Sequence, residues 1–109
     1  MQNKTPNLGV VVLATALLAV ICLLSSPAKA DVAAGEATFK AKCAGCHGAD
    51  GKGKDVMKTR DLASADVQSM SDADLSGIIT NGKGKMPAYK SLTPDQVKDL
   101  VSYIRSLKK

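Results

Sequence analysis

Two thiols three positions apart with an imidazole directly after them, Cys43-Ala44-Gly45-Cys46-His47, are the residues of this chain best suited to chemistry. Three chemistries use such a run. The thiols can add to the two vinyl groups of a haem while the adjacent His47 reaches the iron from one face, so that one pentapeptide supplies two covalent anchors and an axial ligand. The same residues can contribute to a zinc site, or the two cysteines can form a redox pair or a plain disulfide. A zinc site normally needs four protein ligands, and past residue 30 the chain has no Cys or His beyond these three. A thioredoxin-like pair is expected beside a strand-helix-strand pattern, which the sequence lacks. Haem attachment is the favoured reading, with zinc and a simple disulfide as its alternatives.

An iron held by His47 has a second face, and the thioethers that can fill it are Met57, Met70 and Met86. Met57 lies ten residues after His47 in a polar stretch. Met70 continues an apolar helical stripe and reads as core. Met86 sits between Gly82 and Gly84 on one side and Pro87 on the other. The glycines free the chain and the proline pushes Met86 toward extended backbone, which holds a side chain out from a loop. Methionine is in general more often a gap-filler of cores than a ligand.

The elements that must position these residues are helical. From Val32 to Lys42, Val32, Gly35 and Phe39 recur at spacings of three and four and align on one side of a helix ending at the cysteines. A glycine-rich, charged loop is expected from Gly45 to about Lys54, and a short helix between Asp61 and Met70 with Ala63, Val67 and Met70 inward. Ser71 reads as an N-cap with Asp74 as the acidic third position, followed by Leu75, Ile78 and Ile79 until Asn81 and Gly82 stop the helix. Thr93, Pro94 and Gln96 form a capping box, and Val97, Leu100, Val101, Ile104 and Leu107 repeat at helical spacing behind it. Nothing alternates with a period of two. The fold class predicted is all-α, three to four helices around one prosthetic group.

The first 30 residues read as a removable address. Lys4 is the only early charge, an apolar run extends from Leu8 to Leu24, and Ala28-Lys29-Ala30 forms a small-residue cleavage site before Asp31. The run is at the lower limit of the roughly 17 to 25 residues that cross a bilayer, so a retained anchor is the alternative. Cys22 belongs to the discarded segment. Residues 31–109 are then one domain, exported to an oxidising compartment and too short to build a large apolar core unaided. Without Lys4 and Lys29 the 15 basic residues fall to 13 against 10 acidic ones, an excess too small to suggest nucleic acid.

Gly35, Phe39, the run Cys43 to Gly48, the segment Asn81-Gly82-Lys83-Gly84-Lys85-Met86-Pro87-Ala88-Tyr89 and the capped last helix together resemble small class I cytochromes c, and the likeness covers nearly all of residues 31–109. The resemblance implies that the first and last helices cross at Gly35, with Phe39 against Leu100, Tyr103 or Ile104. It also implies one haem c bonded to Cys43 and Cys46, with His47 and Met86 as the iron ligands. Such a pair suits electron transfer, because the soft thioether raises the potential and no coordination position is left open. No catalytic acid or base is called for. One departure stands out: the family often has a proline after the haem motif whose carbonyl receives the ring N–H of the axial His, and no Pro occurs between His47 and Met86. Another backbone carbonyl must then orient His47, or the iron is tuned differently. Arg60 is a candidate partner for a haem propionate.

Lys42, Lys52, Lys54, Lys83, Lys85 and Lys90 cluster in sequence around the two ligand segments, where they either steer the haem edge toward acidic redox partners or serve only solubility. The expected protein is a monomeric periplasmic carrier, not inserted in the membrane once its signal is cleaved. The rivals are a haem enzyme such as a peroxidase, which needs a vacant sixth position, and a haem subunit fixed in a membrane complex.

Overall fold

A computed structural model describes residues 29–109; the run Leu8–Leu24 and Cys22 lie outside the described residues. The elements, in chain order, are α1 (Val32–Lys42), α2 (Ala44–His47), a 3-10 turn (Asp55–Met57), α3 (Ala65–Gln68), α4 (Asp72–Asn81) and α5 (Pro94–Ser106). Three are substantial helices; α2 and α3 are single turns, which raises the helix number above the three to four expected. Among the described residues there is no strand, only an isolated bridge between Lys83 and Met86. No helix of the described residues is long and apolar enough to cross a membrane.

Each long helix starts on a side-chain cap. The Asp31 carboxylate accepts from the Ala33 and Ala34 amides, the Ser71 hydroxyl from the Asp74 amide, and Thr93 and Gln96 close a reciprocal capping box with Pro94 in the first turn. These caps satisfy N–H groups that helix geometry leaves without partners, about 1 kcal/mol each.

The core forms where α1 crosses α5 and α4 packs beside it. Phe39 and Leu100 are 1 % exposed, and Val67, Leu75, Ile79, Leu92, Val97, Val101, Tyr103 and Ile104 surround them. Phe39 and Tyr103 meet with ring centroids 5.1 Å apart. The crossing depends on Gly35: a methyl group there would lie 2.0 Å from the Asp99 carbonyl oxygen and 3.0 Å from Tyr103 Cβ. Val32, expected on the same buried side, is 43 % exposed. Helix α1 opens at Asp31, so Val32 sits in its first turn, outside the crossing.

A second brace ties α5 to the segment before α4. Arg105 donates to the carbonyls of Gln68 (2.8 Å) and Met70 (2.5 Å) and, through Nε and Nη2, to the Asp72 carboxylate (3.0 and 2.8 Å). Gln68 in turn donates to the carbonyls of Leu62 and Ile104. With α3 reduced to one turn, these bonds hold the connection in place of helix packing.

Candidate functional site

Helix α1 ends at Lys42, Cys43 caps it, and the chain turns at once into α2, which carries Ala44 to His47. The expected loop from Gly45 therefore begins instead at Gly48. Winding this run as a helical turn matters chemically, because residues three apart then share a face. Cys43 and Cys46 are both free thiols, the first half-buried and the second exposed. His47 lies beside Phe39, ring centroids 6.4 Å apart, so the most deeply buried aromatic ring packs along the imidazole.

The turn is tied down from the loop that follows it. The Gly53 amide donates to the His47 carbonyl at 2.7 Å, the Thr59 hydroxyl to the Cys46 carbonyl at 2.6 Å, and the Lys54 ammonium to the Gly45 carbonyl at 2.9 Å. Three consecutive carbonyls of the motif are thus engaged, and the motif backbone cannot slide without breaking them.

Met86 is held by a different device. Lys83 and Met86 exchange both backbone hydrogen bonds, 3.1 and 2.9 Å, closing a two-residue turn over Gly84 and Lys85. Gly82 ends α4 with φ +76, and a methyl group there would lie 2.6 Å from the Met86 carbonyl oxygen and 3.0 Å from the Ala88 nitrogen. The turn is then anchored twice by Tyr89, whose amide donates to the Ile79 carbonyl at 3.0 Å and whose hydroxyl donates to the Lys42 carbonyl at 3.1 Å. Lys42 is the residue before Cys43, so Tyr89 docks the Met86 segment onto the edge that bears the thiols. Cys43, Met86 and Tyr89 are partly buried and pack against the core, as do Leu62 and Met70. Met57, by contrast, is 47 % exposed on the 3-10 turn.

Burial dominates the electrostatics. It pushes the His47 pKa down, favouring the neutral imidazole, which is the form that binds a metal. It pushes the Cys43 thiol up, against the lowering effect of Lys42. A thiol held protonated is unlike the depressed thiols of disulfide oxidoreductases. Tyr89 is raised as well, by burial first and then by the nearness of Cys43 and Cys46.

His47 Nδ1 is the one buried side-chain polar atom without a hydrogen-bond partner among the described residues. Of the two alternatives, the orienting carbonyl is not found among the described residues, and the ring is positioned by Phe39 and by the backbone of α2. Nor do three His, Cys, Asp or Glu side chains of the described residues converge on a common point, which removes the donor set that zinc would need. Two free thiols three positions apart, a half-buried imidazole held toward its neutral form and a partly buried thioether on the same core do fit a haem. Cys43 and Cys46 would hold it covalently, and His47 and Met86 would face its iron. Arg60, the proposed propionate partner, is exposed.

Two features of the site lay beyond sequence reasoning, the Tyr89 latch and the Thr59 and Lys54 ties, whereas the unpartnered Nδ1 accords with the missing proline. Tyr89 and Lys42 are 47 positions apart, and the acceptors in both features are backbone carbonyls, which carry no residue-type signal.

Comparison with known proteins gives a consistent result. Residues 30–104 match the family model described as cytochrome C oxidase, cbb3-type, subunit III. Cytochrome c6 of Rippkaea orientalis is 42 % identical over 87 residues, spanning 75 % of this chain and 77 % of the relative. Cytochrome c6 of Gloeothece citriformis is 41 % identical over 85 residues, spanning 72 % and 74 %. Among solved structures, the KustC0563 c-type cytochrome superposes with a TM-score of 0.62 at 33 % identity, covering 69 % of this chain and 98 % of that one.

Proposed function

The chain belongs to the class I c-type cytochromes, and from that premise we propose that Cys43 and Cys46 carry its haem, that His47 and Met86 ligate the iron, and that the processed chain is a mobile periplasmic carrier. As a c-type cytochrome it is an electron carrier with covalently bound haem c and not an enzyme. The haem supplies the one-electron ferric/ferrous couple; the protein supplies placement, ligation and dielectric.

The observation that carries the ligand assignment is the Tyr89 latch, which docks the Met86 turn beside Cys43. Each residue then has a definite task. His47, neutral and flanked by Phe39, presents an imidazole whose orientation is set by backbone bonds on three successive carbonyls. Met86 offers a neutral, soft sulfur that favours the reduced state. The turn that carries it is closed by two backbone hydrogen bonds of its own. A sixth ligand held in this way leaves no place for peroxide, which weighs against a haem enzyme.

Docking follows from charge. Lys42, Lys52, Lys54, Lys83, Lys85 and Lys90 are all exposed and flank the two ligand segments, a surface suited to acidic patches on donor and acceptor proteins. The family model's description favours a second reading, in which the domain is a haem subunit of a respiratory complex, retained by its apolar N-terminal run. Intact mass separates the two. A monomeric chain starting at Asp31 with one haem supports the mobile carrier, whereas a Met1 terminus supports the anchored subunit. For the ligands, loss of the sulfur-to-iron absorption band of the ferric protein in Met86→Ala is expected, and its persistence would refute the assignment.

A further inference from the structure

The cleavage site read between Ala30 and Asp31 leaves a new α-amino group on Asp31, and the fold already holds an acceptor for it. The Asp31 nitrogen donates to Asp99 Oδ1 at 2.7 Å, a contact 68 positions apart in sequence that joins the start of α1 to the middle of α5. It lies directly beside the Gly35–Asp99 crossing. In the unprocessed chain this donor is a neutral amide. In the processed chain it is an ammonium group at neutral pH, since a free α-amino group has a pKa of about 7.7 to 8.0. Position makes that change consequential, because a cation at the N-terminus of a helix opposes the helix dipole. Asp31 is the N-cap of α1, so the new charge falls at the unfavourable end.

We propose that Asp99 is the receptor for the processed N-terminus, an ion pair that forms only after cleavage at Asp31 and then locks α1 to α5. The proposal rests on the processing reading given above. Among the groups that face the amine, the Asp31 carboxylate is already engaged by the Ala33 and Ala34 amides. The remaining charged groups lining the same cleft are Asp95 and Lys98 from α5, and Lys29, which cleavage removes. Glu36, further along α1, is paired with Lys40. Asp99 is thus the carboxylate in direct contact, with Lys98 as the one opposing cation that stays.

Asp99→Asn keeps the acceptor oxygen and removes the charge, so it separates an ion pair from a simple hydrogen bond. In haem-loaded protein beginning at Asp31, the substitution should raise the unfolding equilibrium constant about two- to fivefold more than in haem-loaded protein that retains Lys29 and Ala30, the range for an exposed pair. A titration of the 15N-labelled Asp31 amine provides the second readout: its pKa should lie above the ordinary α-amino value and return toward it in Asp99→Asn. Equal effects of the substitution in the two chains, or an amine that titrates at the ordinary value, would overturn the proposal even with cleavage at Asp31. A native mass showing a different first residue would instead overturn the processing reading, and the proposal with it.

Discussion

Replacing Gly82 by alanine sets two groups of forces against each other at the proposed iron ligand. The new methyl would lie 2.6 Å from the Met86 carbonyl oxygen and 3.0 Å from the Ala88 nitrogen, on a residue with φ +76. With ψ 170 the residue lies in a region essentially confined to glycine, which costs any other residue about 1 to 3 kcal/mol, and overpacking against backbone adds about 1 to 3 kcal/mol. What holds the turn in place is smaller. The Lys83–Met86 bonds travel with the turn, which leaves the Tyr89 amide on Ile79 and the Tyr89 hydroxyl on Lys42, about 1 kcal/mol each. The turn should therefore shift as a unit and carry the Met86 sulfur away, while α1, α4 and α5 keep their packing. In the ferric holoprotein the sulfur-to-iron band should weaken strongly and the midpoint potential fall, with helical circular dichroism retained and stability lowered by about 2 kcal/mol. Gly77→Ala is the control, since a methyl there meets nothing within 4 Å and the residue lies within α4. A Gly82→Ala protein with an unaltered band and denaturation midpoint would refute the reasoning.

Arg105→Ala should destabilise the protein by about 2 kcal/mol in guanidinium denaturation, because two backbone carbonyls and the Asp72 carboxylate lose a charged donor that is 30 % exposed; a change below about 0.5 kcal/mol would count against the brace. Tyr89 should titrate above the ordinary tyrosine range, as burial raises its pKa. Its folded pKa being the higher one, its contribution is whole below the unfolded value of about 10 and is lost as pH rises past it, so Tyr89→Phe should flatten the alkaline decline in stability. Electron delivery to an acidic partner should slow steeply with added salt through the exposed lysines, and a flat response would leave those lysines a solubility role.

The sequence made some parts of this molecule legible because their signals are local. The capping box of α5, the Ser71 cap and the Asn81-Gly82 stop depend on residues within four positions of one another, and each is found where periodicity and caps place it. The haem motif is read from five consecutive residues. What escaped depends on contacts between distant backbone groups. Arg105 reaches carbonyls 35 and 37 positions away, Tyr89 one 47 away, and Asp99 an amide 68 away. Short elements escaped as well: α2 and the turn Asp55–Met57 are too brief for a periodic pattern, and α3 spans only Ala65–Gln68 of the stretch expected to be helical. Val32 shows the remaining weakness, since spacing assigns a face but not where along a helix the partner begins.

The central claim is a haem bonded through the thiols of Cys43 and Cys46, and the mass of the purified protein under denaturing, reducing conditions tests it most directly. Residues 31–109 carrying one haem that survives denaturation, with the covalent adduct reduced in yield and altered in spectrum when either Cys43→Ala or Cys46→Ala is introduced, is the predicted result. A polypeptide of bare chain mass, produced alongside competent haem-attachment machinery, would contradict it.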